Sequence, residues 1–458
     1  MPLAEAHRTG WAGFVVLATA LGGMVACSGA DRSGATPKEE SPPEDEHVEY
    51  TEVREKCEHR NPLRNVYFGD LHVHTKLSFD AYYWRTRNTP EDAYRFAKGE
   101  RVSLTSGPGE EDRSIQLSRP LDFAAGTDHA EFIGEVGLCD DPESSAYGTD
   151  VCRSLRRETE SDSGFRMLTQ ELGLADPGRS EQVCGPEGER CERSSRSVWG
   201  RIQRAADRAY DRSSSCSFTS FVGYEYSNAR DLNNLHRNVV FRNADVPDRV
   251  ISTIDEPEPE GLWRALREEC LRADSRCDVL AIPHNSNMSS GAMFTRSYPG
   301  ADSRAERREL ARLRARMEPL MELYQHKGSM ECVNGLDGAL GTPDEFCDFE
   351  KIYAEDTGSC GGEPGRFGLA GAGCRSPRNY YRNILAAGLK EKWELGVDPY
   401  RLGAIASTDT HSGTPGAVVE SNWKGHMGSN ESTARKRLAG AGTNTEPQTL
   451  PAAQSPGG

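Results

Sequence analysis

Residues 66–74 read Val-Tyr-Phe-Gly-Asp-Leu-His-Val-His. Val66–Leu71 is a short apolar run of strand type, and His72 and His74, two residues apart, share one face of the extended chain that follows it. The same pattern recurs downstream. Leu121–Gly126 leads into Thr127-Asp128-His129, and Phe218–Tyr226 carries Glu225 inside an otherwise apolar strand. Val279–Ile282 leads to His284, Leu320–Tyr324 to His326, and Leu402–Ser407 to Asp409-Thr410-His411, while Asn238–Phe241 is a further apolar run. Six of the 11 His therefore stand at strand ends.

Helical patterns lie between several of these runs, at Pro90–Lys98, Val198–Tyr210, Gly261–Leu271, Ala305–Met317 and Tyr380–Leu389. The alternation predicts an α/β domain over residues 57–423 with a mainly parallel sheet. In a parallel α/β barrel the carboxyl ends of the strands converge on one mouth, where active sites sit. Imidazoles mixed with carboxylates are the donor set of zinc, manganese or iron. One such His is an ordinary hydrogen-bonded residue; six with three acids at successive strand ends are not explained by packing, because unpaired buried polar groups are costly.

Composition bounds the rest. The 458 residues carry a net charge of −16, which excludes a nucleic-acid-binding role built on clustered Lys and Arg. Arg8, the uncharged run Trp11–Ala26 and the small residues before Cys27 read as a secretory signal. Cys27 directly after Val25-Ala26 is similar to the lipobox of bacterial lipoproteins, which predicts a lipid anchor on Cys27, a cell-envelope location and Ser28 directing the chain to the outer membrane. Residues 27–56 read as a disordered acidic tether. Setting aside Cys27, the 13 Cys leave an even dozen with no C-x-x-C pair, so an exported chain predicts disulfides. The near neighbours Cys139/Cys152, Cys184/Cys191, Cys270/Cys277, Cys332/Cys347 and Cys360/Cys374 are plausible partners, although connectivity does not follow from sequence. Stretches 137–192 and 333–377 read as long excursions pinned by these bridges. Residues 424–458 read as a low-complexity tail without apolar periodicity, and their Ser-Pro-Gly-Gly ending predicts a truncated form.

In order and type, these motifs resemble the PHP (polymerase and histidinol phosphatase) superfamily of metallohydrolases. The strings Phe68-Gly-Asp-Leu-His-Val-His-Thr75, Thr127-Asp-His-Ala-Glu131, Gly223-Tyr-Glu-Tyr226, His236-Arg-Asn-Val-Val-Phe241, Ile282-Pro-His-Asn285 and Ser407-Thr-Asp-Thr-His411 are similar to a branch of exported bacterial proteins whose domain has no assigned function. The resemblance covers roughly residues 60–420. It implies a distorted (β/α)7 barrel and two to three divalent metal ions. One would take His72, His74, Glu225 and Asp409; a second would share Glu225 and add His284 and His326; a third would take Asp80, His129 and His411. Asp80 stands where many members have His, which tilts that third site toward manganese or iron.

The resemblance also implies a reaction: phosphoester hydrolysis with Glu225 as a bridge between cations and Arg237 or Lys327 steadying the departing anion. Arg237 has an alternative reading as the partner of a ligand carboxylate. Asn285, Asn287 and Lys327 follow ligand His residues as candidate substrate contacts, and Asp70 and Asp128 as acceptors that orient the rings. His236 receives no ligand role, and Arg304–Arg316 reads as a solvated helix face. A sulfate ester or an amide is an alternative substrate. The alternative function is a non-catalytic surface protein that keeps metals, although nine candidate ligands exceed the four of a typical structural zinc site.

Overall fold

The computed structural model describes residues 53–104, 113–272, 275–296, 298–336, 344–353, 357–419, 424–433 and 436. The signal, Cys27 and nearly all of the tether lie outside them, as does the tail beyond Lys436. Among the described residues, no helix is long and apolar enough to cross a membrane.

The described residues hold ten strands, seven from the apolar runs and β2, β3 and β9 outside them: β1 (Gly69–Asp70), β2 (Val102–Ser103), β3 (Ser114–Ile115), β4 (Phe123–Ala125), β5 (Thr219–Tyr226), β6 (Arg237–Phe241), β7 (Val279–Pro283), β8 (Leu320–Gln325), β9 (Gly328–Ser329) and β10 (Gly403–Ala406). A five-stranded sheet has the order β1-β4-β5-β6-β7, a three-stranded sheet the order β10-β8-β9, and β2-β3 is a small antiparallel pair. The fold is mixed α/β, as expected, with a curled half-barrel sheet in place of a closed (β/α)7 ring. Among the described residues, the ladder is not continuous from β7 to β8, and the isolated parallel bridge Val73↔Thr410 joins the two sheets on the other side.

β1, β4 and β5 run parallel, but β6 is antiparallel to both of its neighbours. The cause is chain length. The link Ser227–His236 is shorter than the roughly dozen residues a parallel crossover needs, so the chain turns back beside β5. This reversal brings the amino end of β6 to the rim that holds the carboxyl ends of β5 and β7. Only Gly69–Asp70 of the first run pairs, because β1 is an edge strand; Val66, Tyr67 and Phe68 stay exposed.

Helix Glu189–Ala209 lays Val198, Trp199, Ile202, Ala205 and Ala206 on the core with Tyr224, Val239 and Phe241 of the sheet. Each such burial is worth about 1.5–3 kcal/mol for a large apolar side chain. Helix Pro90–Ala97 starts with a reciprocal Thr89–Asp92 capping box, and Arg304–Met317 with one between Ser303 and Glu306. Stretch 137–192 is helical, not a loop: Ile133–Asp140, Asp150–Leu155, Ser163–Leu172 and Glu181–Cys184 enclose a second core of Val136, Leu155, Leu168 and Leu172.

Six disulfides staple the chain. The five near pairs are Cys139–Cys152, Cys184–Cys191, Cys270–Cys277, Cys332–Cys347 and Cys360–Cys374, and Cys57–Cys216 ties the start of the domain to the turn before β5. Bridges of this number indicate an oxidising, extracellular environment.

Two further readings are corrected. Arg314 of the supposed solvated face is buried, donating to Glu318 at 3.0 Å. Within the supposed tail, His426, Met427 and Glu431 are buried; Glu431 accepts from the backbone N–H groups of His426 and Met427, and Ser429 N donates to Trp84 O at 2.7 Å.

Candidate metal centre

The strand ends deliver their His and acids to one buried cluster. Glu225 stands at its middle. Its Oε1 lies 2.6 Å from His236 Nδ1 and 3.0 Å from His284 Nε2. Its Oε2 lies 3.5 Å from His72 Nε2, 3.1 Å from His74 Nε2 and 3.4 Å from His129 Nδ1. Asp409 Oδ1 faces the same two rings at 3.2 Å each, His72 Nε2 and His74 Nε2. Asp80 Oδ2 lies 3.2 Å from His129 Nε2 and 2.9 Å from His411 Nε2. His326 Nε2 is 3.2 Å from Asp409 Oδ2, and the His74 and His411 rings stack at 4.0 Å. All nine predicted ligands are buried.

These residues fit cations. Donor atoms bound to one tetrahedral ion at ~2.0–2.2 Å stand roughly 3.3 Å apart, close to the spacing of His72, His74, Glu225 and Asp409. Four groups of donors lie close enough to share an ion: His72-His74-Glu225, His74-Asp80-His129-His411, His129-Glu225-His236 and His326-Asp409-His411. The protein leaves His72 Nε2, Glu225 Oε2, His236 Nε2, His284 Nδ1, both nitrogens of His326 and Asp409 Oδ1 buried without a hydrogen bond. Each such atom costs about 1–3 kcal/mol unless something binds it. A fifth group, Glu135-Cys184-Cys191, is not a thiolate site, because its sulfurs form a disulfide.

Electrostatics agree with ligation at five of the six predicted imidazole ligands. Burial pushes the imidazoles of His72, His74, His326 and His411 below the ordinary His value, and His284 down to about 4, leaving them neutral as ligands must be. Burial also pulls His129 down, but the charges of Glu225 and Asp80 outweigh it and lift the ring to about 9. Burial alone would raise Glu225; His129, His284 and His236 hold it well below the usual carboxylate range.

The grouping differs from the one the resemblance implied. His284 and His326 stand apart, one at Glu225 and the other at Asp409, and His236 takes a place at Glu225 that the sequence reading gave to no residue. The reversed β6 explains it, since His236 immediately precedes that strand at the rim. Arg237, the next residue, points to the opposite face and pairs with Glu318, so it is not at the cluster. Lys327 is: its Nζ donates to Asp409 Oδ2, and burial lowers its pKa to about 8. Asn285 borders the cavity, while Asn287 instead donates to the Lys327 carbonyl at 3.0 Å.

Asp70 and Asp128 touch no ring. Asp70 accepts from Thr408, His72 N and Gly416 N, and Asp128 from Thr75, so both brace the loops that carry ligands. The rings are oriented by residues the sequence reading missed: Glu322 at 3.2 Å from His72 Nδ1, Ser78 at 2.9 Å from His74 Nδ1, and Ser227 on His129 Nδ1. Gln325 Nε2 donates to Asp409 Oδ2 at 2.6 Å. Glu322 carried a signal, an acid inside an apolar strand, the same that marked Glu225. Ser78, Ser227 and Gln325 carried none. Asn285 (φ 51°) and Asp409 (φ 54°) adopt left-handed backbone, a strain of about 1–3 kcal/mol that folds tolerate where side-chain placement demands it.

Above the cluster lies a cavity of about 360 Å³ bordered by His74, Asp80, His129, Glu225, Asp409 and His411. No curated protein and no solved structure matches the chain. One family model, described as a protein of unknown function (DUF3604), matches residues 61–458, the stretch that contains every one of these donors, and the chain belongs to that family.

Proposed function

We propose that this protein is an exported metal-dependent hydrolase of the PHP kind, acting as a phosphoesterase. The observation that carries the reading is Glu225, one buried carboxylate with imidazoles on both of its oxygens beneath a cavity. His72, His74, Glu225 and Asp409 would hold one cation, Asp80, His129 and His411 another, and His236 with His284 complete the far side of Glu225. Bound there, divalent ions supply Lewis acidity, making water a nucleophile at neutral pH and stabilising the leaving oxygen. Zinc, manganese and iron all suit this mixed donor set.

The chain's own groups have separate tasks. Glu322, Ser78 and Ser227 fix the tautomer and direction of the rings they touch. Gln325 and Lys327 hold one oxygen of Asp409, which leaves the other turned to His72 and His74. Lys327, at the cavity wall, is placed to meet an incoming anion. Kinship with PHP enzymes rests on motif order, and the Val73↔Thr410 bridge supports an opened relative of their barrel. The lipid anchor at Cys27 belongs to the same proposal and rests on the residues before it; the disulfides support export alone. Metal analysis of folded, never-chelated protein should find two to three equivalents, and a panel of phosphate, sulfate and amide substrates should show turnover of phosphate esters. Metal-free protein would remove the reading; metal without turnover would favour the surface protein.

A further inference from the structure

The polar floor of the cavity is matched by a wall of opposite character. Phe79 and Trp84 line it beside Phe165, their ring centroids 5.8 and 6.4 Å from that of Phe165. Phe165, Thr169 and Leu172, spaced along one face of helix Ser163–Leu172, continue the lining. Leu369, from the loop closed by Cys360–Cys374, packs on the same apolar cluster, with its backbone N–H bonded to Leu232 O at 2.8 Å. The wall is fixed in place. Phe165 stacks on Tyr83 with ring centroids 4.1 Å apart, and Phe79 meets Phe132 edge-on at 5.4 Å. The helix and the loop come from the two long excursions, so the segments that interrupt the strand pattern are those that shape the cavity.

Charge is scarce on this wall. Among the described residues that line the cavity, Lys327 is the single Lys or Arg, and it is held by Asp409. Thr169, Asn234 and Asn285 are its other neutral polar members. A nucleotide, a sugar phosphate or any polyphosphate needs several cations or many hydrogen-bond partners for its non-reacting part, and this wall offers neither. A volume of about 360 Å³ is at the small end of ligand sites, which span ~300–1,000 Å³.

We infer that the substrate is a compact monoester of a single oxyanion with an aromatic or branched-alkyl alcohol, its anion on the cluster and its apolar group against Phe79, Phe165 and Leu369. The inference rests on the hydrolase reading and adds the substrate class. Hydrolysis of such a phosphate breaks the bond from phosphorus to the alcohol oxygen and forms one from phosphorus to the oxygen of water. A proton from that water goes to the departing oxygen, giving inorganic phosphate and the free alcohol.

Binding tests this without requiring turnover. Benzylphosphonate and methylphosphonate, which cannot be hydrolysed as esters, are titrated calorimetrically into the full chain purified with its metals. Burying the ring should make benzylphosphonate roughly thirty-fold tighter. Phe165→Ala, and independently Leu369→Ala from the other excursion, should cut that ratio to about five or below and leave methylphosphonate unchanged. A ratio near one, no binding of either compound, or an equal loss for both in each variant overturns the inference. Tight benzylphosphonate binding without hydrolysis of benzyl phosphate would instead count against the phosphoesterase reading and leave the apolar wall standing.

Discussion

Replacing Glu318 with Ala should destabilise the protein severely without touching its chemistry, while Arg237→Met should be mild in both respects. Glu318 Oε1 accepts from Arg237 Nε at 2.5 Å and from Trp263 Nε1 at 3.1 Å, and Oε2 accepts from Arg314 Nε at 3.0 Å. Arg237, Arg314 and Glu318 are 1 %, 3 % and 1 % exposed, so this is a triad out of reach of water. Removing the shared carboxylate strands two guanidinium groups, and breaking a single buried pair already costs about 3–5 kcal/mol. At about 2 °C per kcal/mol for a large domain, Tm should fall by about 10 °C. In Arg237→Met, Glu318 keeps Arg314 and Trp263, and Met replaces the guanidinium with apolar volume, so the change should stay within about 2 kcal/mol. Burial alone would raise Glu318, but Arg237 and Arg314 outweigh it and hold its pKa below the ordinary 4.5. Its contribution is therefore complete above pH 4.5 and is lost as pH falls through the lowered folded value. Thermal melts at pH 7 and pH 3, with kcat/KM measured well below Tm, separate the cases. If Arg237→Met melted like the parent yet lost a hundred-fold in kcat/KM, Arg237 would act on substrate after all. A Glu318→Ala protein melting within about 1 °C of the parent would refute the energetic argument.

Glu225→Gln should lose about one metal equivalent and at least ~100-fold in turnover, because two of its imidazole contacts are on one oxygen and three on the other; full activity with full metal would count against the bridge. Exhaustive chelation should lower Tm, since saturating ions stabilise the native state by about 4 kcal/mol at a thousand times Kd; an unshifted melt with retained turnover would rule out a cation at the cluster. Removing Cys57–Cys216, which spans 159 residues, should cost up to about 5 kcal/mol by loop-closure entropy, against about 2 for Cys184–Cys191, which spans 7. Denaturant titration of the two paired Cys→Ser variants checks the order, and the reverse ranking refutes it.

The donors were legible because metal chemistry restricts residue type, and strand ends announce themselves by a switch from apolar to polar. His72, His129 and His411 each follow such a switch. Strand direction was not legible from pattern alone. A parallel β6 would carry its amino end, His236 and Arg237, to the rim away from the mouth; the reversed β6 brings that end to the mouth, and the alternation of faces then sends His236 to the cluster and Arg237 to Glu318. The length of Ser227–His236 held that information, but a local reading of apolar runs does not weigh loop length. Side chains that act through hydrogen bonds to a ring, such as Ser78 and Ser227, leave no trace because serine is common everywhere. His426 is a different failure: its neighbours look like loop, and it is buried by partners far along the chain, with His411 N donating to its carbonyl at 2.5 Å, the His326 ring 5.7 Å away, Ser429 N bonded to Trp84 O and Glu431 closing the local turn.

The spacing of the bridges against that of the donors sets an order of assembly. Five of the six disulfides close over 7 to 15 residues, so each can form as soon as its own segment has emerged. The donors run from His72 to His411, and no nascent chain holds the complete set until β10 and the turn after it are out. On the proposed function, covalent closure would precede capture of the full metal set, and the ions would be chosen where oxidation has already happened. Selectivity among zinc, manganese and iron would then be a property of the compartment that receives the chain as much as of its ligands, since availability decides between ions a site could accept. Protein trapped before its last strand emerges should carry oxidised Cys184 and Cys191 and fewer metal equivalents than the complete chain.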